Sequence, residues 1–324
     1  MIEMDDSINP LVSVVCTTYN HEAYIRQCLD GFIMQKTDFP FEIIVHDDAS
    51  TDSTVSIIKE YEDKYPNLFN NIYRTENWFS QKKNIWGYLF TEKARGKYIA
   101  LCEGDDYWTD PLKLQKQVDI LEKNQKISLC CHAYQTLKML NGNMILETSS
   151  LKERKDSSFV FGLDEFAQHW ITKTLTLIFR NEFQYEGLKN YKYCRDVHLV
   201  YHLLCQGKGF YSSEIMGVYR EHAGGIWSSV VESKRRETSY NLYKELFEKQ
   251  HNKYTKKAFL VRTISYFNYT LFHLKNISIK ELVELTHLST STISHRICIL
   301  EKNNYIIRNK TGRQISFSFN LNAL

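Results

Sequence analysis

The first 125 residues alternate between short apolar runs and amphipathic segments, and this alternation limits the folds open to the chain. The apolar runs have the length of buried strands, and they are Leu11–Cys16, Phe41–Val45 and Tyr98–Cys102. The amphipathic segments have helical spacing, and they are Glu22–Met34, Thr54–Tyr65 and Pro111–Asn124. Strands that alternate with helices form a parallel sheet with right-handed crossovers. The sequence therefore predicts an α/β fold.

The chain of 324 residues is too long for one typical module. Its hydrophobic share of 43% and aromatic share of 14% allow a sizeable core and exclude global disorder. The net charge of +3 excludes a polyanion-binding balance over the whole chain. We expect one large α/β domain at residues 1–230 and a smaller, mostly helical region at residues 231–324.

The eight cysteines include no C-x-x-C pair, and several lie in apolar runs. This usage predicts free, buried thiols in a reducing compartment rather than a disulfide scaffold or a zinc site. Residues 1–10 lack the apolar stretch of a signal peptide, and no apolar run approaches a membrane span. We expect a cytoplasmic protein, and peripheral association with the inner face of the membrane stays open.

Polar loops follow each of the three strand runs, at Thr17–Asn20, Asp47–Asp48 and Glu103–Asp106. In open parallel sheets, ligands bind beyond the carboxyl ends of the strands. The chain contains neither a dinucleotide fingerprint nor a P-loop. Carboxylates at this edge instead predict phosphates held through Mg²⁺ or Mn²⁺, which prefer hard oxygen ligands.

Three blocks in this order carry a family resemblance, and they are Val12–Asn20, Val45–Asp52 and Gly96–Trp108. Together they resemble the family 2 glycosyltransferases over about residues 10 to 228. The resemblance implies the GT-A fold, a nucleotide-sugar site and transfer with inversion at the anomeric carbon.

The resemblance also implies roles for the first two polar loops. Thr17 and Tyr19 match positions that contact the nucleotide, and the Tyr19 ring offers a face to the base. Asp48 matches a carboxylate that accepts from a pyrimidine N–H, which favours a UDP-sugar donor. For Asp47 and Asp52 we expect turn capping, which suits the D-A-S-T-D sequence.

Glu103-Gly104-Asp105 occupies the position of the D-x-D motif of the family. Asp105 would bind the metal, and Glu103 would reach the ribose or a metal-bound water. Glutamate in place of aspartate at residue 103 changes that reach. Asp106 would either support the metal ligands or stabilise the following helix.

The family places its general base at the start of a later helix, and Tyr193–Val200 matches that motif with Asp196 as the candidate. One carboxylate suffices to take the acceptor proton when a metal neutralises the departing diphosphate. The alternative is that Asp196 only caps the helix. His198 and His202 lack the glutamate of a metalloprotease motif, so we expect surface or core histidines.

Tyr219–Trp227, here called the closing segment, resembles the Y-R-x-H-x-G segment that ends the family domain. In that resemblance Arg220 and His222 fold over the diphosphate, and His222 is a candidate metal ligand. The alternative for His222 is an ordinary hydrogen-bonded histidine.

The tail changes pattern after residue 230. Two helices, Val231–Asn252 and Ala258–Leu274, precede a capping box formed by Ser278 and Glu281. A helix from Ser289 and two strands, Tyr305–Arg308 and Gln314–Phe319, complete a pattern that resembles a winged helix-turn-helix from about residue 255.

In a DNA-binding version of that fold, one group of side chains would meet the major groove and the wing, and its members are Ser291, Thr292, His295, Arg296 and Arg313. Residues 276–324 carry six Lys/Arg and three Glu, and this net positive charge is small for a DNA-binding segment. We expect a packing or dimerisation module instead.

The sequence thus predicts a metal-dependent, inverting glycosyltransferase that moves a sugar from a nucleotide-diphosphate donor to a hydroxyl of a glycan or lipid-linked acceptor. Surface polysaccharide synthesis is the expected setting. The alternative is a regulator that senses a nucleotide sugar and binds DNA through the tail.

Overall fold

A computed structural model describes most of the chain, namely residues 9–140, 143–149, 157–182, 186–189, 191–192, 194–225, 227–273, 277–280, 283, 289–302, 306–311 and 314–319. The chain divides into two compact units, Met1–Ser229 and Val230–Leu324. In the described residues, none of the helices combines the length and apolar character needed to cross a bilayer.

The strands of the first unit are β1 (Val12–Thr18), β2 (Phe41–Asp47), β3 (Ile72–Tyr73), β4 (Tyr98–Glu103), β5 (Tyr107–Trp108), β6 (Ile127–Leu140), β7 (Asn143–Ser149), β8 (Phe159–Phe161), β9 (Ile178–Arg180) and β10 (Lys208–Glu221). Its helices are α1 (Ile25–Ile33), α2 (Thr54–Lys64), α3 (Ile85–Tyr88), α4 (Lys113–Lys123), α5 (Leu163–Gln168), α6 (Glu186–Lys189) and α7 (Asp196–Gln206). A π-helical turn at Leu89–Lys93 and a 3₁₀ turn at Thr174–Thr176 lie between them.

These strands form one sheet in the order β3-β2-β1-β4-β9-β6-β10-β5, with β7 added to β6 and β8 added to β10. The first four positions are parallel, as the alternating sequence pattern predicts. The sheet as a whole is mixed, because β9 runs antiparallel to both β4 and β6. The predicted α/β fold is confirmed, and the antiparallel strands are the part that the pattern does not indicate.

Helix α1 shows how spacing positions the elements around the site. Its residues at helical spacing, Ile25, Cys28, Leu29 and Phe32, are all fully buried. Such a stripe faces the core, and each large apolar side chain contributes about 1.5–3 kcal/mol on burial. Gly31 permits a close approach, because a Cβ there would lie 3.0 Å from the backbone nitrogen and oxygen of Trp108.

All eight cysteines are free thiols, as the sequence predicts. Five of them are buried, namely Cys16, Cys28, Cys102, Cys130 and Cys131. In these positions the thiol acts as a small apolar side chain.

The second unit contains helices α8 (Glu232–Gln250), α9 (Lys253–His273) and α10 (Thr290–Lys302), and strands β11 (Ile277–Ser278), β12 (Ile306–Thr311) and β13 (Gln314–Phe319). The three strands form an antiparallel sheet in the order β11-β13-β12. Helix α9 begins earlier than expected from the sequence. The reason is a side-chain cap, since Asn252 Oδ1 accepts from the backbone N–H groups of Tyr254 and Thr255 at 2.9 and 3.1 Å.

The winged helix-turn-helix assignment stays a prediction. Ile293 and Ile297 of α10 are buried as expected. Ser291 and His295 are exposed. Three predicted DNA contacts lie outside the described residues, which are Arg313 and the side chains of Thr292 and Arg296.

Candidate active site

Three polar loops meet at one edge of the sheet, where β1, β2 and β4 end. In the register of these strands Thr18 pairs with Asp47, and Thr17 pairs with Glu103. The loop backbones are also joined, because the Gly104 N–H donates to the Thr17 carbonyl at 3.0 Å. The structure therefore brings the three sequence blocks together.

The loop after β1 holds the first two predicted nucleotide contacts. Thr17 is partly buried, whereas Tyr19 is 44% exposed and leaves its ring open to a ligand. Asn20 has a positive φ of 53°, and its side-chain oxygen accepts from the Thr51 N–H at 2.8 Å. This hydrogen bond links the loop after β1 to the loop after β2, so it holds the turn that contains Tyr19 in place.

Asp48 lies at the same edge but is already engaged. Its two carboxylate oxygens accept from the backbone N–H groups of Trp78 and Phe79 at 2.7 and 2.9 Å, and the residue is 4% exposed. A carboxylate has further lone pairs, so these bonds leave acceptor capacity. The predicted contact of Asp48 with a pyrimidine N–H stays a prediction. Asp48 also fixes the loop that contains Trp78 and Phe79.

Asp47 and Asp52 have the turn-capping contacts expected of them. Asp47 accepts from the Ser50 N–H at 2.9 Å, and Asp52 accepts from the Thr54 N–H at 3.0 Å. These bonds shape the loop that faces Tyr19.

The turn after β4 places three carboxylates together. The ligand oxygens of Glu103, Asp105 and Asp106, here called the acidic cluster, lie within 4.8 Å of one another. Gly104 is needed within it, because a Cβ at residue 104 would lie 2.6 Å from Thr18 Oγ1. Asp106 is 1% exposed, and within the described structure its Oδ2 has no hydrogen-bond partner.

The electrostatics of the acidic cluster differ from residue to residue. Burial, followed by the charges of Asp105 and Asp196, raises the pKa of Glu103 to about 8. Burial also raises the pKa of Asp106 well above its ordinary value. Burial opposes ionisation of Asp105 too, but a hydrogen bond from His222 and the charge of His21 bring its pKa below the ordinary value. Asp105 is therefore the carboxylate that is ionised most readily.

The closing segment packs onto this turn. His222 Nε2 lies 3.0 Å from Asp105 Oδ2, and the two groups could share one metal ion. The Arg220 N–H donates to Asp106 Oδ1 at 2.8 Å, and its guanidinium donates to the Asp105 carbonyl and to Gln27 Oε1. Arg220 is 7% exposed and anchors the segment, and its predicted contact with the diphosphate stays a prediction.

Asp196 is the first residue of α7. Its charge is one of those that raise the pKa of Glu103, a member of the acidic cluster. Burial raises the pKa of Asp196 as well. Its Oδ1 accepts from the Val197 N–H at 2.9 Å in the first turn of α7, whose N-cap position is Arg195. The general-base role and the helix-capping alternative both stay predictions.

The two histidines of α7 have structural contacts. His198 is fully buried and its Nδ1 accepts from the Arg195 N–H at 3.2 Å. His202 Nε2 lies 2.9 Å from the Tyr191 hydroxyl. Of the expected surface or core histidines, His198 is therefore a core residue, and His202 is partly buried.

Two cations near the site were not predicted from the sequence. Lys173 Nζ lies 3.9 Å from the centre of the Tyr219 ring, and the Arg195 guanidinium lies 4.9 Å from the centre of the Phe79 ring. Both positive charges oppose the rise in the pKa of Asp196. Arg195 lies within the base motif, directly before Asp196, and could have been noticed there, whereas no sequence signal marks Lys173.

A family model matches this region of the chain. Residues 13–162 match the model described as glycosyl transferase family 2. Asp196 and the closing segment lie beyond the matched range, so their roles depend on the geometry given above.

Among known proteins, an uncharacterised protein of Mycobacterium bovis is 39% identical over 225 residues, which is 69% of this chain. The match covers 63% of that relative's own length. The poly(ribitol-phosphate) beta-glucosyltransferase of Bacillus spizizenii is 34% identical over 160 residues, which is 47% of this chain and 24% of that protein.

Solved structures support the fold. TarS 1-349 of S. aureus, in complex with UDP-GlcNAc, has a TM-score of 0.61 at 18% identity, with 96% of this chain and 97% of that chain covered. The mannosyltransferase PcManGT of Pyrobaculum calidifontis, in complex with GDP-Man and Mn²⁺, has a TM-score of 0.52 at 15% identity, with 92% and 77% covered. The glycosyl transferase family 2 model thus matches residues 13–162, a little under half of the chain, and the solved structures are similar to this chain in fold.

Proposed function

We propose that this protein is a metal-dependent, inverting glycosyltransferase that moves a sugar from a UDP-sugar to a hydroxyl acceptor. The observation that carries the proposal is the acidic cluster at the end of β4, whose ligand oxygens lie within 4.8 Å of one another, with His222 Nε2 3.0 Å from Asp105 Oδ2. The charge of Asp196 also acts on Glu103. A donor-binding carboxylate and a separate base at one sheet edge are what a direct displacement requires.

The donor would bind across the loops after β1 and β2. The exposed Tyr19 ring would stack on the base, while Thr17 would contact the nucleotide and Asp48 would accept from a pyrimidine N–H. The S. aureus neighbour holds UDP-GlcNAc, which supports a UDP-sugar, and the Pyrobaculum neighbour holds GDP-Man.

The residues present fit a divalent cation. Asp105 and His222 would hold Mn²⁺ or Mg²⁺, and the unpartnered, buried Asp106 Oδ2 and the Glu103 carboxylate add hard oxygen donors nearby. When bound, the cation would neutralise charge on the departing diphosphate. The Mn²⁺ in the Pyrobaculum neighbour supports this choice.

Asp196 would act on the acceptor. Its carboxylate would take the hydroxyl proton while the hydroxyl oxygen forms a bond to the anomeric carbon and the bond to the diphosphate oxygen breaks. The raised pKa of Asp196 favours this proton transfer, because a stronger base accepts a proton more readily. One displacement inverts the anomeric configuration.

For the acceptor and the setting, we propose a glycan or polyol hydroxyl in surface polysaccharide synthesis, reached from the cytoplasm or the inner face of the membrane. The name of the Bacillus spizizenii relative supports a polyol-containing polymer. In this proposal residues 1–230 are the catalytic domain and residues 231–324 are a packing module.

Donor hydrolysis by the purified protein tests the activity. Mn²⁺ is supplied with UDP-, dTDP- and GDP-sugars, and release of the nucleoside diphosphate is measured. We expect UDP release above that of an Asp105→Ala variant, and loss of the signal with EDTA. Absence of metal-dependent turnover with all three nucleotide classes would contradict the proposed function.

A further inference from the structure

The second unit carries a group of lysines at one end of the helix pair α8 and α9. Helix α8 ends at Gln250 and α9 begins at Lys253, so the two helices are joined by a short turn. Three exposed lysines open α9, and a fourth lies in the last turn of α8. These four residues, here called the lysine patch, are Lys249, Lys253, Lys256 and Lys257. Residues three and four apart are neighbours on a helix surface, so the lysines of α9 share one face.

Helix α8 shows a different arrangement of charge. Its cations lie beside glutamates of the same helix, since Lys234 Nζ is 3.0 Å from Glu237 Oε2 and Arg236 Nε is 2.7 Å from Glu232 Oε1. Helix α9 contains neither aspartate nor glutamate in its 21 residues. Among the residues that the structure describes, no carboxylate oxygen lies within 4.0 Å of a side-chain nitrogen of the lysine patch. The positive charge of the patch is therefore not neutralised by its own helices.

This arrangement is unfavourable for the isolated helix pair. Like charges three and four residues apart on a helix repel one another, and an anionic partner would remove that repulsion. The four side chains are exposed and spread over two helices. A lysine ammonium is a compact point charge on a flexible stem, so such a group suits an extended anionic surface better than one small anion held in a fixed geometry.

The lysine patch has an apolar neighbour on the same face of α9. Leu260 follows Lys256 and Lys257 by four and three residues, and it is 37% exposed. Lysine and leucine on one exposed face are typical of a helix that lies on a lipid surface, because the ammonium groups reach headgroup phosphates while the aliphatic side chain enters the apolar boundary. Clusters of about 4–8 basic residues bind anionic lipid in this way.

Two other partners fit these observations less well. A second copy of this chain would bring the same lysines face to face in a two-fold contact, which is repulsive. Duplex DNA would attract the lysines, but its phosphate backbone offers no apolar contact to the exposed Leu260 side chain. A lipid surface accommodates both parts of the face.

We propose that the lysine patch, with Leu260, docks the second unit onto an anionic phospholipid surface. This inference goes beyond the proposed function, because it concerns no step of sugar transfer. It gives the α8–α9 helix pair a role besides packing, and the partner is a bilayer surface that carries phosphate headgroups of net negative charge.

Co-sedimentation of the full chain with vesicles tests the inference. One set of vesicles contains phosphatidylglycerol and phosphatidylcholine, and the other contains phosphatidylcholine alone. We expect binding to the first set that weakens as salt is raised, and little binding to the second. Each lysine near such a surface contributes roughly fivefold in affinity, so the triple variant Lys253→Gln/Lys256→Gln/Lys257→Gln should bind roughly 100-fold more weakly. Leu260→Asn should weaken binding several-fold while leaving the charge unchanged.

The matched control is the triple variant Lys59→Gln/Lys64→Gln/Lys126→Gln. It removes the same charge from exposed positions of the first unit and should leave vesicle binding unchanged. Replacement of the three α9 lysines by arginine keeps the charge and should retain binding. Equal binding to both sets of vesicles, or equal weakening by the control variant, would overturn the proposal.

Duplex DNA at physiological salt is the competing probe. Retention on DNA that the α9 triple variant loses, without vesicle binding, would assign the lysine patch to nucleic acid and overturn the lipid proposal. Vesicle binding is measured without donor or metal, so this outcome is independent of donor hydrolysis. Absence of vesicle binding would sink the inference alone, whereas absence of metal-dependent hydrolysis would sink the proposed function alone.

Discussion

At the residue scale, the carboxylates at the end of β4 differ because their surroundings differ. Glu103 is partly buried and Asp106 is buried, both beside other carboxylates, which raises the pKa of each. Asp105 is the exception, since His222 donates to it at 3.0 Å. A cation would relieve the repulsion within the acidic cluster, so the proposed metal site would depend on all three residues and most directly on Asp105.

We predict that Asp105→Ala abolishes divalent-dependent nucleotide binding. A diphosphate without its cation would face the remaining carboxylates, which is repulsive. UDP affinity is measured by calorimetry with and without Mn²⁺. The outcome that removes Asp105 from the site is an unchanged affinity with an unchanged metal dependence.

We predict that Asp196→Asn lowers single-turnover transfer on the order of 10²–10⁴-fold, the usual weight of general-base catalysis. Asparagine keeps the size and hydrogen-bonding shape but lacks the basic oxygen, and UDP affinity should stay within a few-fold because the proton moves only as the acceptor attacks. If Asp196 is only a helix cap, asparagine replaces it well and turnover stays near that of the wild type.

We predict that stability rises with pH between about 7 and 10.5 through Lys113. Its side chain is fully buried, and burial lowers its pKa from 10.5 to about 7. In that window the unfolded chain binds one more proton at this residue than the folded chain, which contributes up to about 1.4 kcal/mol per pH unit.

Lys113→Met should remove this contribution. Urea unfolding at pH 8, 9 and 10 measures the slope for both proteins, and the difference between the slopes isolates the lysine from other titrating groups. Parallel slopes would show that Lys113 is charged in the folded protein.

At the element scale, the sequence indicates the strands that a local residue pattern determines, and it misses the features that depend on contacts between distant residues. The strand that contains Thr17 and the strands that end just before Asp48 and Asp105 were predictable, because a buried parallel strand is a short apolar run and its carboxyl end is the binding edge. Strand β9 was not predictable from the sequence, because its antiparallel position between β4 and β6 depends on contacts between residues that are distant in sequence. Lys173 was missed for the same reason, since only the fold brings its loop to Tyr219.

We predict that Asn252→Ala destabilises the second unit by about 0.5–2 kcal/mol, the usual cost of losing a helix cap. The side chain satisfies two N–H groups in the first turn of α9, and alanine leaves both without that acceptor. Asn241→Ala, on an exposed position of α8, is the control and should change stability little. Thermal unfolding of the pair measures the difference, and equal midpoints would contradict the capping role.

At the scale of the whole molecule, the two units divide the predicted chemistry unevenly. Every predicted donor, metal and base residue lies within Met1–Ser229. The second unit has its own helices, its own sheet and buried positions such as Ile293 and Ile297. Its role is therefore separable from nucleotide binding by experiment.

We predict that deletion of residues 276–324 impairs solubility or oligomeric state and leaves the affinity for UDP with Mn²⁺ within a few-fold of the full chain. The deletion removes β13, which contacts α9, so apolar surface of α9 would be exposed to water. Light scattering coupled to size exclusion reports the assembly, and calorimetry reports the nucleotide affinity. Ile293→Asp in the full-length chain is the control, because it disturbs a buried position of residues 276–324 without removing the segment. A low-nanomolar gel shift at physiological salt, lost in Arg296→Ala, would instead favour specific DNA binding by this region.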